Sequence, residues 1–196
     1  MPPIAGANLL QNGDFELGNY NNADQDSRPE IMLITPGMTN ITGWSIQGTG
    51  GVHWLLGADI ASSGNYSLDL QGVISGPLSS ASTQFSSTTG QQYRLTFDAY
   101  AGRSHNTGTV SVGSLQGQSL LGPIKPPGQT PTYSSFSYDF IATAPISTLT
   151  FRVTNTDGYG PVIDNVTVTA VPEPAKGILL LVGIISLATY LRKREA

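Results

Sequence analysis

The chain has 196 residues, of which 11% are charged and 39% hydrophobic, with 23 glycines, 13 prolines and no cysteine. This composition excludes a coiled coil, which needs more charge and less glycine, and a disulfide-stapled scaffold, which needs cysteines. The formal net charge of −4 and the few basic residues exclude a nucleic-acid-binding protein, because that class needs a basic surface.

The first seven residues, MPPIAGA, do not form the basic and apolar leader that exported proteins carry. Ala5, Gly6 and Ala7 nevertheless match the small-x-small pattern that precedes a leader cleavage site. We therefore interpret 1–7 as the remnant of an export leader or as a disordered end. A basic and apolar stretch encoded in frame upstream is expected.

Short runs of alternating apolar and polar residues fill the chain from 8 to 170. In 93–100, Tyr, Leu, Phe and Ala alternate with mostly polar residues, and the same alternation recurs in 136–141 and 149–154. Such a period of two is typical of strands with one buried face. Further strands are predicted at 31–34, 43–47, 52–56, 66–71, 80–86, 108–113 and 162–169.

Glycine and proline separate nearly all of these runs, and 8–170 shows no helical periodicity. About ten short strands with glycine-rich turns indicate an all-β domain, an antiparallel two-sheet jelly-roll sandwich. Residues 114–132 are interpreted as a long loop.

Four stretches of this domain carry a family resemblance. Residues 8–16 (NLLQNGDFE) resemble the opening of carbohydrate-binding-like jelly rolls, and 64–72 (GNYSLDLQG) resembles a stretch of the choice-of-anchor C and related cell-wall-associated families. Residues 83–97 and 163–166 (IDNV) are similar to a strand pair and the closing strand of those families. The resemblance implies a galactose-binding-like sandwich of the kind that is joined to interchangeable surface anchors.

Related carbohydrate-binding modules hold a structural calcium ion between the Glu of the opening motif and the Asp of the closing strand. The resemblance therefore implies Glu16 and Asp164 as calcium ligands, with Asp14 or Asp69 as further oxygen donors. Calcium takes six to eight oxygen ligands, so carboxylates are suitable. The alternative is structural: Glu16 pairs with a basic side chain and Asp164 caps a turn.

Sugar binding uses aromatic rings that stack on sugar faces, flanked by side chains that hydrogen-bond to hydroxyls. Such candidates stand in three places along the chain: His53 with Trp54, then Tyr100 with Arg103 and His105, and finally Tyr159. For Trp54 the sequence leaves a place in the core and a place in the site equally open.

The residues give little support to an enzyme. There is no cysteine nucleophile, and His53 and His105 are too few and too far apart for a metal cluster or a triad. The carboxylates of Asp14 and Glu16 do not have the spacing of a jelly-roll glycoside hydrolase, so we expect no catalysis.

The last part of the chain predicts a membrane anchor. Residues 177–191 (GILLLVGIISLATYL) contain no charge and would span about 22 Å as a helix. The basic residues Arg192, Lys193 and Arg194 follow at once. Because basic residues stay on the cytoplasmic side, we expect a transmembrane helix at 177–191, a cytoplasmic tail at 192–196 and the sandwich outside.

Pro172, Glu173 and Pro174 precede this segment within a linker at 171–176, and two prolines so close together favour an extended, accessible chain. The order of motif, apolar segment and basic end resembles the PEP-CTERM sorting domain. That resemblance implies an exported bacterial surface or matrix protein whose tail is the substrate of an exosortase-type membrane enzyme. A plain membrane anchor is the alternative.

Two functions remain open from the sequence. The sandwich binds an extracellular polysaccharide, or it is a structural surface protein without a ligand site.

Overall fold

The computed structural model describes residues 6–21, 28–72, 78–101, 107–120, 122–125, 128–154 and 160–172. Within these ranges the chain forms eleven strands and no helix. The strands are β1 (Ile31–Ile34), β2 (Ser45–Gln47), β3 (Val52–Leu56), β4 (Tyr66–Asp69), β5 (Ser80–Ser86), β6 (Gln92–Ala101), β7 (Gly108–Val112), β8 (Leu115–Ser119), β9 (Ser134–Ile141), β10 (Ile146–Val153) and β11 (Pro161–Ala170).

The strands form two sheets that pack face to face. One sheet has six strands in the order β1-β3-β4-β11-β6-β9, and the other has five in the order β2-β5-β10-β7-β8. Every pair of neighbouring strands is antiparallel. The predicted all-β, two-sheet antiparallel sandwich is therefore confirmed.

The hydrophobic core lies between the sheets. Strand β6 directs Tyr93, Leu95 and Phe97 inwards, and β10 directs Leu149 and Phe151 towards them; all five are at most 1% exposed. The rings of Phe97 and Phe151 meet edge to face with their centroids 5.2 Å apart, a geometry that aromatic pairs prefer. The period of two in the sequence is thus the period at which side chains enter this core.

The opening segment 8–16 runs beside β11 without forming a strand of its own. The Leu9 N–H donates to the Val168 carbonyl and the Val166 N–H donates to the Gly13 carbonyl, both over 2.8 Å. The first and last parts of the domain therefore lie side by side.

Asn12 fixes the path of this segment. Its backbone is left-handed (φ 60°), and its side-chain amide donates to the carbonyls of Leu17 (2.8 Å) and Thr42 (2.9 Å). Its side-chain oxygen accepts from the Leu17 N–H (2.7 Å), and its carbonyl accepts from Trp44 Nε1 (2.8 Å). A buried polar side chain is stable only with such partners, so Asn12 ties the opening segment to the loop before β2.

The interpretation of 114–132 as one loop was wrong in part, because β8 occupies Leu115–Ser119 within it. This edge strand pairs only with β7 and is mostly exposed on both faces. Without a buried face it lacks the alternation that sequence patterns detect.

The described chain leaves the sandwich at Val171, whose N–H donates to the Gln92 carbonyl (3.0 Å), and it ends at Pro172, which is exposed. Glu173 and Pro174 of the motif, the apolar segment 177–191 and the basic residues lie outside the described residues. Among the described residues no helix is long and apolar enough to cross a membrane.

Candidate functional site

One row of side chains crosses the outer face of the six-stranded sheet near one end of β11. The register pairs Leu33 with His53, His53 with Asp69, Asp69 with Val162, and Val162 with Tyr100. Paired residues of an antiparallel sheet project from the same face. The row thus unites two predicted ligand-binding residues, His53 and Tyr100, with the predicted calcium ligand Asp69.

A cavity of about 280 Å³ opens over three residues of this row, Asp69, Val162 and Tyr100, whereas His53 is not part of its lining. Its floor and walls are apolar, formed by Ile31, Leu55, Ile60 and Val162. Its polar lining consists of Arg28, Glu30, Asp69, Tyr100 and Lys125. The volume lies near the lower end of ligand sites (roughly 300–1,000 Å³), so it suits a small molecule or one unit of a polymer.

Asp69 is the buried acid of this cavity. Its Oδ1 accepts from the backbone N–H groups of Gln71 and Gly160, both over 3.0 Å. Burial raises the pKa of Asp69 to about 7, although these two N–H donors act to lower it. A Cβ at Gly160 would stand 2.7 Å from Asp69 Oδ1, so glycine permits this approach. Among the described residues nothing donates to the second oxygen, Oδ2, which can therefore bind a ligand.

Tyr100 is 4% exposed, and its ring meets that of Tyr133 edge to face at 4.9 Å. Burial raises its pKa, so the phenol remains a hydrogen-bond donor at neutral pH. Its hydroxyl has no hydrogen-bond partner among the described residues. Lys125 reaches the same cavity because its N–H donates to the Ala101 carbonyl (2.9 Å), which fixes the 123–125 segment beside the end of β6.

The loop 57–65, between β3 and β4, forms one wall of the cavity through Ile60, and two carboxylates hold it. Asp164 Oδ2 accepts from the N–H groups of Ser62 (2.8 Å) and Ser63 (3.0 Å). Glu16 Oε1 accepts from the N–H groups of Asn65 (2.6 Å) and Tyr66 (2.7 Å). We call these four contacts the carboxylate clamp.

Two further groups hold the same loop. Asp98 accepts from the Ser62 hydroxyl (2.6 Å), and the Tyr133 hydroxyl donates to the Ile60 carbonyl (2.9 Å). Gly64, at the centre of the clamp, has φ +67°, and a Cβ there would collide with the Glu16 carboxylate. A side chain at this position would therefore open the clamp.

These contacts test how well Glu16 and Asp164 fit a calcium ion. The oxygen Oε1 of Glu16 and both oxygens of Asp164 face backbone N–H donors, including that of Asn165 (2.6 Å). Those N–H groups would point their positive ends at a bound cation, and calcium needs six to eight oxygens. Among the described residues no group of three or more acidic or histidine side chains could hold a metal. As arranged here, the two residues do not fit the ion.

The remaining predicted site residues do not line this cavity as far as the structure describes them. Asp14 is exposed, beside Glu16 at the edge of a different cavity, between the opening segment and β11. Arg103, His105 and Tyr159 lie outside the described residues.

Trp54 does not belong to a binding surface. It is 1% exposed, its Nε1 donates to the Phe15 carbonyl (3.1 Å), and its ring packs against Tyr66 at 4.8 Å. The prediction that it stacks on a sugar is therefore corrected. Side chains alternate between the two faces of a strand, so Trp54 faces inwards while its neighbours, His53 and Leu55, face outwards.

Sequence reasoning missed Arg28, Glu30 and Lys125 in the cavity and Asp98 beside the clamp. A signal existed for the cations, because residues 1–170 contain only five basic side chains and two of them are Arg28 and Lys125. No local motif marks any of the four, since they come from different segments.

A second concave surface lies on the outer face of the five-stranded sheet. Ser45, Gln47, Ser82, Gln84 and Thr148 line it, and it measures about 330 Å³. It offers hydroxyl and amide groups but no aromatic ring and no charge.

One measurement, the melting temperature with and without calcium, distinguishes the carboxylate clamp from the predicted calcium site. If the clamp acts alone, the melting temperature of the protein is the same in calcium chloride and in EDTA. Glu16→Gln, which keeps Oε1 as an acceptor, should destabilise the fold less than Glu16→Ala, which costs about 1–2 kcal/mol. A melting temperature that falls in EDTA would restore the calcium prediction.

Asp69 should make stability depend on pH. Because its pKa is about 7 in the folded state and 3.8 as the reference value, the folded protein keeps a proton that the unfolded chain releases. The unfolding free energy therefore falls as the pH rises from about 4 to 7. Asp69→Asn should remove about 1–4 kcal/mol of that fall, measured by urea unfolding. The exposed Asp14→Asn is the control, and equal slopes in Asp69→Asn and wild type would contradict the assignment.

Solved structures share this fold. The carbohydrate-binding module TmCBM61 in complex with β-1,4-galactotriose matches with a TM-score of 0.54 and 15% identity, over 85% of this chain and 100% of that one. The enzymatically active domain of tailspike protein 4 of bacteriophage CBA120 matches with a TM-score of 0.53 and 18% identity, over 84% of this chain but 21% of that one. At such identities the likeness shows the fold alone.

The arabinose-bound α-L-arabinofuranosidase MgGH51 also matches, with a TM-score of 0.51 and 12% identity, over 87% of this chain and 27% of that one. The fold is thus found both in a carbohydrate-binding module and within a glycoside hydrolase. No curated protein matches the chain. A family model matches residues 8–169, and the chain therefore belongs to the family described as protein of unknown function (DUF642).

Proposed function

We propose that the sandwich is a non-catalytic carbohydrate-binding domain and that the cavity over Asp69 and Tyr100 is its binding site. The observation that carries this proposal is the pair of free polar atoms, Asp69 Oδ2 and Tyr100 Oη, above an apolar floor. A sugar presents hydroxyl groups on its rim and C–H groups on its faces, and such a cavity complements both. The same fold in TmCBM61, which was solved with a galactotriose, supports this choice.

The carboxylates nearest to the cavity support a binding role over a catalytic one. Glycoside hydrolysis needs two carboxyl groups that face each other across the substrate. Asp164 is 0% exposed and bound to backbone N–H groups, and Asp98 is engaged by Ser62 and Ser135. Of the carboxylates in the part of the chain that the structure describes, Asp69 and Glu30 line the cavity, and they have different environments, one buried and one partly exposed.

Binding should depend on the two free polar atoms. Tyr100→Phe removes only the hydroxyl, and Asp69→Asn keeps the acceptor that holds Gln71 and Gly160, so both variants should fold. Each should weaken binding to the glycan that the wild type selects from a panel of polysaccharides by roughly 3- to 10-fold, measured by isothermal titration calorimetry.

Gln84→Ala on the five-stranded sheet is the matched control and should bind like the wild type. Loss of binding in Gln84→Ala, with Tyr100→Phe unaffected, would move the site to the other sheet. A wild type that binds no glycan would favour the alternative function, a structural surface protein without a ligand site.

We propose further that the protein is exported and sorted through its C-terminal segment as the substrate of an exosortase-type enzyme, with a plain membrane anchor as the alternative. The sequence of 172–194 carries this proposal. The described chain supports it in one respect, because Pro172 is exposed at the exit from β11. Val162 of the cavity and Ala170 at the exit are eight residues apart on one strand, about 26 Å. An anchored domain would therefore hold its cavity away from the membrane.

Processing should remove the apolar segment. In mass spectrometry of the protein from its own host, the mature surface form should end within or just after Pro172-Glu173-Pro174. A variant with both prolines replaced by alanine should keep residues up to Ala196 and stay in the membrane fraction. A wild-type surface form that still ends at Ala196 would contradict processing and leave the plain anchor.

A further inference from the structure

The basic side chains of the domain are few, and two of them meet in the cavity. Residues 1–170 contain five basic and eleven acidic side chains. Of the five, Arg28 and Lys125 both line the cavity over Asp69. They come from segments that are almost one hundred residues apart in the chain, so the fold itself brings them together.

The other described basic residues lie elsewhere. Arg94 is bound to Asp139 by two hydrogen bonds of 2.7 and 3.0 Å at the opposite end of β6. Arg152 projects from the outer face of the five-stranded sheet. The accumulation of positive charge at the cavity is therefore local, in a domain that is acidic as a whole.

The charges around the cavity favour an anion. Arg28 and Lys125 are opposed by Glu30 and Asp69, and burial raises the pKa of Asp69 to about 7. Below pH 7 Asp69 is therefore mostly neutral, and the described residues of the lining carry a net positive charge. At physiological salt, charges are screened beyond about 8 Å, so a ligand in the cavity responds to this lining more than to the negative charge of the whole domain.

We propose that this cavity selects a carboxylate-bearing sugar, a uronic acid unit of an acidic polysaccharide, and that Arg28 and Lys125 bind the carboxylate. This inference rests on the proposed function and adds the class of sugar. Guanidinium groups match the geometry of a carboxylate with two parallel hydrogen bonds, and an ammonium adds a compact positive charge. Asp69 and Tyr100 then contact the sugar hydroxyls, and Ile60 and Leu55 contact the apolar face of the ring.

Two pairs of polymers test the charge requirement at pH 6. The first is polygalacturonate and its methyl ester, and the second is alginate and its carboxyl-reduced form. The neutral partner carries a methyl ester in the first pair and a hydroxymethyl group in the second, so the negative charge is lost in two chemically different ways. Wild type should bind at least one acidic polymer about tenfold or more tightly than its neutral partner, and added salt should weaken that binding.

Charge variants show which side chains cause the preference for the acidic polymer. Lys125→Gln and Arg28→Gln should each weaken binding to the acidic polymer by about three- to tenfold, and Glu30→Gln should strengthen it, because one negative charge leaves the lining. Arg152→Gln removes the same charge from the other sheet and should leave the affinity unchanged.

The outcomes separate this inference from the proposed function. Binding of the neutral polymers with equal or higher affinity, still weakened by Tyr100→Phe, overturns the uronic acid inference and keeps the carbohydrate-binding function. An equal loss in Arg152→Gln and Lys125→Gln overturns it as well, because the attraction would then be non-local. No binding to acidic or neutral polymers overturns both.

Discussion

The candidate site depends on the carboxylate clamp. Glu16, from the opening segment, and Asp164, from the last strand, together bind four successive or nearly successive backbone N–H groups at 62–66. A loop has few backbone partners of its own, and the clamp supplies four charge-assisted hydrogen bonds to its N–H groups. It thereby holds the loop whose Ile60 forms a wall of the cavity. The opening segment therefore helps to determine the shape of a cavity that it does not line, together with the last strand, which lines the cavity through Val162.

Three residues of the opening segment 8–16 have structural roles: Asn12, Phe15 and Glu16. Asn12 supplies a left-handed backbone and an amide that bonds to Leu17 and Thr42, which most side chains could not do. Phe15 is fully buried against Trp44, with ring centroids 4.9 Å apart, and Glu16 holds the 57–65 loop. The motif thus closes one edge of the sandwich and supports the cavity from behind. In the sequence these residues resemble calcium ligands, because polar side chains at a fixed spacing can either bind a ligand or hold the backbone.

Some residues of the cavity could be predicted from the sequence around them, and others could not. Tyr100 was a candidate from the sequence because it is an aromatic residue close to Arg103 and His105, and Asp69 because the family resemblance implied it as a calcium ligand. Arg28 and Lys125 were not, since each is a single cation in a segment with no pattern. Trp54 was left open because an aromatic residue in an alternating run belongs to the core or to the surface according to the register of the whole sheet. A shift of one residue exchanges the two faces.

The sequence alone determined the class of the domain and most strand positions, because these depend on local composition and on a period of two. The membrane anchor after the domain stays a prediction. Only the tertiary structure decided which face each strand buries, which loop the carboxylates hold, and that two of five basic residues meet at one cavity. Those facts depend on strand order, and neighbouring strands here come from distant parts of the chain. Strand β11 lies between β4 and β6, and without that order Asp69, Val162 and Tyr100 would have no reason to share a surface.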